Sequence, residues 1–242
     1  MKTRQKIRKG IAAAMMFIFP VTAFYFSPYI FLQGAAHGII VGSVFTFAIL
    51  LILSLVVGRA FCGWACPAGA IQDVVDGFRP RSVRRRRLRW IKFAIWGPWL
   101  LSFVVLLLRA GGVKEVNPFY HIEHVVSVAD LRSLAIYLAI VITFFLSALF
   151  IGRRGACHTI CWMSPFMIIG RKISQALRVP RLKLEVDPSA CISCKLCNKS
   201  CSMCIEVDQL VQSGTLETQD CILCGACVDA CPKAAIRYEF GS

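Results

Sequence analysis

The residues best suited to chemistry in this chain are its 13 cysteines, nine of which fall between Cys191 and Cys231. Cys191, Cys194, Cys197 and Cys201 form a C-x-x-C-x-x-C-x-x-x-C run. The same spacing returns 30 residues later as Cys221, Cys224, Cys227 and Cys231, followed by Pro232. Cysteines this close together suit metal thiolate ligation better than a disulfide framework. A zinc ribbon needs C-x-x-C pairs, four ligands to an ion, and not two matched runs of four. The doubled run is the spacing of bacterial two-cluster ferredoxins, in which three cysteines hold one [4Fe–4S] cluster and the fourth ligates the other. Assigned that way, cluster one takes Cys191, Cys194, Cys197 and Cys231. Cluster two takes Cys221, Cys224, Cys227 and Cys201. Ser202 stands where a proline usually follows the fourth cysteine of the first run, and Cys204 lies two residues beyond, so Cys204 is an alternative ligand to Cys201.

The other four cysteines form two C-x-x-x-C pairs, Cys62/Cys66 and Cys157/Cys161. On a helix, positions i and i+4 share a face, so each pair could offer two sulfurs to one site. Two readings stay open: a shared cluster near the cytoplasmic face, or thiols that remain free, pair or pack. Among the histidines, His158 between Cys157 and Cys161 could tune such a cluster, although a local hydrogen bond is the simpler role. His121, Glu123 and His124 could accept protons from a quinol in a loop near the outer membrane face. Axial haem ligands belong inside helices and only His37 comes near that, so no haem is expected.

Stepping outward from the cysteines, 57% of the chain is apolar and 17% charged, a balance that excludes intrinsic disorder and strains a water-soluble globule. Four uncharged apolar runs, 11–32, 39–57, 93–108 and 133–152, approach the length of about 20 residues that spans a bilayer. The first reads as an anchor and not as a cleaved signal. Lys92 and Arg109 can snorkel at the ends of the third. Pro20 and Pro28 would kink the first.

Charge sets the orientation. Residues 1–183 carry 24 basic and 5 acidic side chains, whereas residues 184–242 carry 4 basic and 8 acidic. Twenty-one basic residues fall on one side of the four-helix arrangement, against Arg109, Lys114 and Arg132 on the other. The positive-inside rule then places both termini in the cytoplasm. Topology alone explains the arginine run at 79–89, and no nucleic-acid partner is expected.

The membrane half also repeats itself. Gly58-Arg59 precedes Cys62 and Gly152-Arg153 precedes Cys157, each after an apolar helix and each with a tryptophan close by, Trp64 and Trp162. A surface helix is expected after each motif, with Ile71, Val74, Val75 and Phe78 on one face of the first and Ile169, Ile173 and Leu177 on one face of the second. The expected fold is an all-α polytopic membrane domain over 1–183, made of four transmembrane helices in two pseudo-repeated hairpins. A small α+β two-cluster ferredoxin domain follows over 184–240.

Taken together, these motifs resemble the membrane polyferredoxins. That family includes the quinol-oxidising membrane subunit of periplasmic nitrate reductase systems and the membrane iron–sulfur protein of nitrous oxide respiration. Cys62 through Pro67 match its C-x-x-x-C-P motif. Cys157 and Cys161 match the second copy, except that Trp162 takes the place of the proline, which appears only at Pro165. The resemblance implies a multi-pass protein of the cell inner (cytoplasmic) membrane, in contact with lipid. It implies electron transfer between membrane quinol and other redox protein subunits. Relatives with a flavin domain attach FMN to a threonine in a dedicated segment; none is legible here, so no FMN is expected. The rival reading is a redox sensor or a maturation factor for a metalloenzyme, with the helices only as an anchor.

Overall fold

The computed structural model describes residues 2–78, 89–120, 127–128 and 130–241. The chain enters as α1 (Thr3–Thr22), passes through a 3-10 turn at Ala23–Phe26, and continues as α2 (Pro28–His37). The sequence suggested a kinked single helix here, whereas the helix restarts. The Ser27 hydroxyl accepts from the Ile30 amide at 3.4 Å and Pro28 opens the first turn of α2, an N-cap followed by a proline that needs no amide partner. His37 therefore ends α2.

The second apolar run differs from expectation at its start. Ile39–Val41 is extended as β1 and pairs in parallel with β2 (Glu115–Asn117), so α3 covers only Gly42–Val57. The β-branched residues at 39–41 tolerate the extended backbone, and Gly38, left-handed at φ 73°, closes α2 just before it. After α3 come the short α4 (Ala60–Trp64) and α5 (Pro67–Phe78). Next are α6 (Ile91–Arg109) and α7 (Leu131–Phe150). Asp130 caps α7 by accepting from the Ser133 amide at 3.1 Å, while its own amide donates to the Ser133 hydroxyl. The short α8 (Gly155–Thr159) and α9 (Ser164–Ala176) follow.

Three helical stretches, Thr3–His37, Ile91–Arg109 and Leu131–Phe150, are long and apolar enough to cross a membrane, and α3 is a shorter apolar helix. Their large side chains stay exposed: Leu101, Leu108, Ile142 and Phe150 among them. Such a surface suits lipid and not water. Between the helices, Phe31, Phe47, Trp99, Phe103 and Phe166 stack into one aromatic core joining α2, α3, α6 and α9. Gly170 lets α9 lie directly on α3, because a Cβ there would overlap the Ser54 hydroxyl.

The C-terminal part opens on β3 (Arg181–Val186) and closes on β4 (Ile236–Gly241), an antiparallel pair in the register Arg181↔Gly241 through Val186↔Ile236. Between them lie α10 (Leu196–Ser200), α11 (Val207–Gln212) and α12 (Ala226–Ala230), with α10 packed on α12. Val207, Val211, Leu216, Ile222 and Ile236 are buried and continuous with the core of the helical part.

Candidate metal centres

Each run of cysteines begins in a loop and ends at the foot of a short helix. Ser193, Lys195, Leu223 and Gly225 take left-handed backbone conformations, which curl the two loops tightly. Cys197 and Cys227 sit in the first turns of α10 and α12, and Cys201 and Cys231 terminate those helices with extended backbone. Because α10 and α12 lie side by side, each helix hands its last cysteine to the other's loop. One cavity is lined by Cys191, Cys194, Cys197 and Cys231 with Asp208 and Val211. The other is lined by Cys201, Cys221, Cys224 and Cys227 with Met203, Val207 and Leu216. Cys204, left-handed at φ 50°, lines neither.

Among the described residues, no three His, Cys, Asp or Glu side chains converge closely enough for a single metal ion. The cysteines surround cavities and do not meet at a point. That donor set, four sulfurs around an apolar hollow, fits a four-iron cluster and does not fit a zinc ion. Burial pushes the Cys201 thiol up to about 12 and raises Cys221 and Cys227 as well. Bare thiolates are unfavourable in such surroundings, and a bound cation is what would compensate them.

The C-x-x-x-C pairs are built differently from the helical expectation. Cys62 lies in α4 and Cys66 beyond its end; Cys157 lies in α8 and Cys161 beyond its end. The chain turns between the members of each pair, so they do not share a continuous helix face. All four are nevertheless buried in the same core, and Cys66 is raised first by burial and then by the nearness of Cys62, Cys157 and Cys161. Gln72 donates to the Cys157 sulfur at 3.3 Å and Cys62 contacts the Met167 sulfur at 3.3 Å.

Cations surround this group of four. Arg154 donates to the Cys62 carbonyl and forms a two-pronged pair with Asp73 at 2.7 and 2.8 Å, and Arg8 reaches the same carboxylate at 3.0 Å. Arg59 is fully buried beside Cys62, Cys157 and Cys161. Its Nη1 donates to the Gln219 carbonyl at 2.8 Å, while its Nε and Nη2 have no hydrogen-bond partner among the described residues. His158, drawn down to about 4 by burial, also has both ring nitrogens unpartnered among the described residues, so the local hydrogen bond expected from sequence is not formed there. Lys92 does not snorkel to solvent; it is buried 3.7 Å from Asp220, which also pairs with Arg89 at 2.6 Å. Buried donors without acceptors are costly unless an anionic group lies among them. A thiolate-ligated cluster carries that negative charge, so these residues fit one.

The two halves meet at these cysteines. Trp64 Nε1 donates to the Leu223 carbonyl at 3.0 Å, and Gln5 donates to the Cys224 carbonyl at 3.0 Å and to Asp229 at 2.7 Å. A Cβ on Gly63 would stand 3.3 Å from the Cys224 Cβ. The motif that begins at Cys62 therefore touches the loop that lines the second cavity. Sequence reasoning singled out the Gly-Arg pairs and the tryptophans as part of a repeat; their contacts, and Gln5, Gln72 and Asp73 altogether, were not legible. His121, Glu123 and His124 lie outside the described residues.

A family model described as a 4Fe-4S binding domain matches residues 39–88, which include Cys62 and Cys66. A 4Fe-4S dicluster domain matches residues 190–236. The uncharacterized protein MJ0749 of Methanocaldococcus jannaschii is 26% identical over 97% of this chain and 87% of its own length. The methylamine utilization ferredoxin-type protein MauN of Methylorubrum extorquens is 29% identical over 72% of this chain and 59% of its own. The ferredoxin-type protein NapH of Haemophilus influenzae is 22% identical over 79% and 66%. No solved structure matches. With an iron–sulfur family model on each side of the junction and similarity to ferredoxin-type proteins running through both, the chain resembles the membrane polyferredoxins.

Proposed function

We propose that this protein is a membrane-bound iron–sulfur electron-transfer subunit, working between a quinol in the membrane and a redox partner protein. One observation carries the reading: eight cysteines divide into two cavities of four, and the wall of the second touches the buried C-x-x-x-C group. Cys191, Cys194, Cys197 and Cys231 would hold one [4Fe–4S] cluster, and Cys221, Cys224, Cys227 and Cys201 the other. Cys62, Cys66, Cys157 and Cys161 would hold a third. This last assignment is supported by the unpartnered Arg59 donors and by the iron–sulfur family model over Cys62 and Cys66. When bound, each cluster stores and releases one electron at a time. The protein's own residues do the rest. Leu184, Met203, Val207 and Leu216 exclude water from the second cavity, Arg59 and Arg154 offset negative charge, and Trp64 and Gln5 hold the halves in register.

The same reading divides the chain into a four-span membrane part over 1–183, with α3 as the fourth span, and a cytoplasmic ferredoxin part over 184–240. The two hairpins are read as a pseudo-repeat because α3–α4–α5 and α7–α8–α9 follow the same order of long, short and amphipathic helices. Both termini face the cytoplasm at the inner membrane, on the charge asymmetry given above. Quinol is read near the loop that carries His121, Glu123 and His124.

Iron analysis tests this directly. Anaerobically prepared protein should carry at least about 8 iron atoms per chain, and about 12 with the third cluster. Cys224→Ser should remove or convert one cluster while the helices remain inserted, and a quinol should bleach the visible absorption of the wild type. Zinc in place of iron, or clusters indifferent to every quinol offered, would overturn the proposal.

A further inference from the structure

The two ferredoxin cavities differ in what covers them. The second is closed over by the helical region: Gly63 and Trp64 lie on the Ile222–Cys224 loop, Gln5 on Cys224, and Arg171 on Thr218. The first opens to solvent. Cys194 is exposed, and Cys191, Cys197 and Cys231 are half-buried. Around its mouth Ile192 is 57% exposed, with Lys195 and Lys233 on the same lining, and Leu196, which follows Lys195 at the start of α10, is 42% exposed.

Charge at this mouth runs against the charge of its surroundings. Residues 184–242 hold eight acidic and four basic side chains. Most of the acids are engaged elsewhere. Asp220 is buried against Arg89 and Lys92, and Asp229 meets Gln5 and Arg4. Glu217 pairs with Arg181 and Glu185 with Arg237, while Asp208, which lines the first cavity, is buried and accepts from the Asn198 side-chain amide at 2.6 Å. Asp187 turns its carboxylate onto the Ser189 and Ala190 amides. Lys195 and Lys233 have no ion pair among the described residues. Gln212 donates to the Ser193 hydroxyl at 2.9 Å and fixes the loop that presents them. A small apolar patch with two unspent positive charges, on a held loop at the open end of a cysteine-lined cavity, is the composition of a transient recognition surface.

We propose that the mouth of the first cavity, lined by Ile192, Lys195 and Lys233 with the exposed Leu196 next in the chain, is the docking surface for a small acidic redox protein. The proposal rests on the cluster assignment given above. The lysines draw in a negatively charged partner, and Ile192 and Leu196 supply the dry contact that holds it over Cys194. A partner of this kind meets the chain at its solvent end, opposite in exposure to the cavity that the helices cover.

Binding is measured on the full-length, detergent-solubilised, anaerobically loaded protein. Calorimetry uses two oxidised probes, a flavodoxin of net negative charge and a basic cytochrome c. The wild type should bind the flavodoxin at low ionic strength, and added salt should weaken it. Lys195→Glu with Lys233→Glu should weaken it by about tenfold or more, and Lys195→Arg with Lys233→Arg should hold it within about twofold. Ile192→Ser should weaken it with the salt dependence unchanged. Iron content is read first on every sample. A wild type without iron–sulfur absorption fails the cluster assignment itself. An iron-replete wild type that ignores flavodoxin, that prefers cytochrome c, or whose affinity survives the double charge reversal overturns the docking surface alone. Should the Lys195 change disturb the loop and lose iron, Lys233→Glu alone, outside the cysteine run, reads the same charge, and unchanged flavodoxin affinity there counts against the proposal.

Discussion

Gly63 has no room for a side chain, because a Cβ there would overlap the Ile222 carbonyl oxygen. One residue after Cys62 and two before Cys224, the backbones of the helical and ferredoxin parts come into contact. Gly63→Val should therefore push them apart at a cost of about 1–3 kcal/mol, as overpacking does. Limited proteolysis should cut faster between residues 177 and 190 in this variant. Dithionite should still reduce it fully, while quinol-driven bleaching slows. An unchanged digestion pattern would show the contact to be dispensable.

A second expectation concerns Asp73. Burial alone would raise its carboxyl, yet Arg154 and Arg8 outweigh that and hold it below the usual carboxylate range. A group lowered in this way contributes stability above its unfolded value near 4, and the contribution is lost as pH falls through the folded one. Asp73→Asn leaves Arg154 buried without its counterion and should cost about 3 kcal/mol. Thermal unfolding in detergent should show the wild type losing its advantage below about pH 4. The variant should be low throughout.

The buried cysteine group gives a sharper test. Cys62→Ser and Cys161→Ser come from different C-x-x-x-C pairs, and each should lower iron by about 4 atoms per chain. The double variant should lose no more than either alone, since both ligands belong to one site. Additive losses, or none, would return these thiols to packing.

Orientation is open to reporter fusions. A fusion after Asp130 should report the outer side and one after Arg89 the cytoplasm, following the 21-to-3 distribution of basic residues. A cytoplasmic signal after Asp130 would break the topology.

What the sequence made legible was local. The doubled cysteine spacing marked the eight cysteines that line the two cavities, and their role as cluster ligands is the proposal made above. The apolar runs located α1, α3, α6 and α7. The misses arose where neighbours overrode composition. Ile39–Val41 is apolar enough to continue a helix, but pairing with Glu115–Asn117 draws it into a strand. The C-x-x-x-C spacing suggested one helical face, yet α4 and α8 stop between their cysteines. Arg59 and Gln219 lie 160 residues apart, and no period or motif joins them. Buried hydrogen bonds of this kind follow from the docking of two parts, which a one-dimensional pattern does not encode.

The exchange of cysteines between the two ferredoxin loops also orders the protein's birth. Cys191, Cys194 and Cys197 leave the ribosome well ahead of Cys231, yet without it their cavity lacks a wall. By then every helix of the first half has already been made. The strand that closes the sheet against Arg181–Val186 comes later still. If that cavity takes a cluster as proposed, loading waits for Cys231, and the three earlier thiols have to stay reduced until it is made.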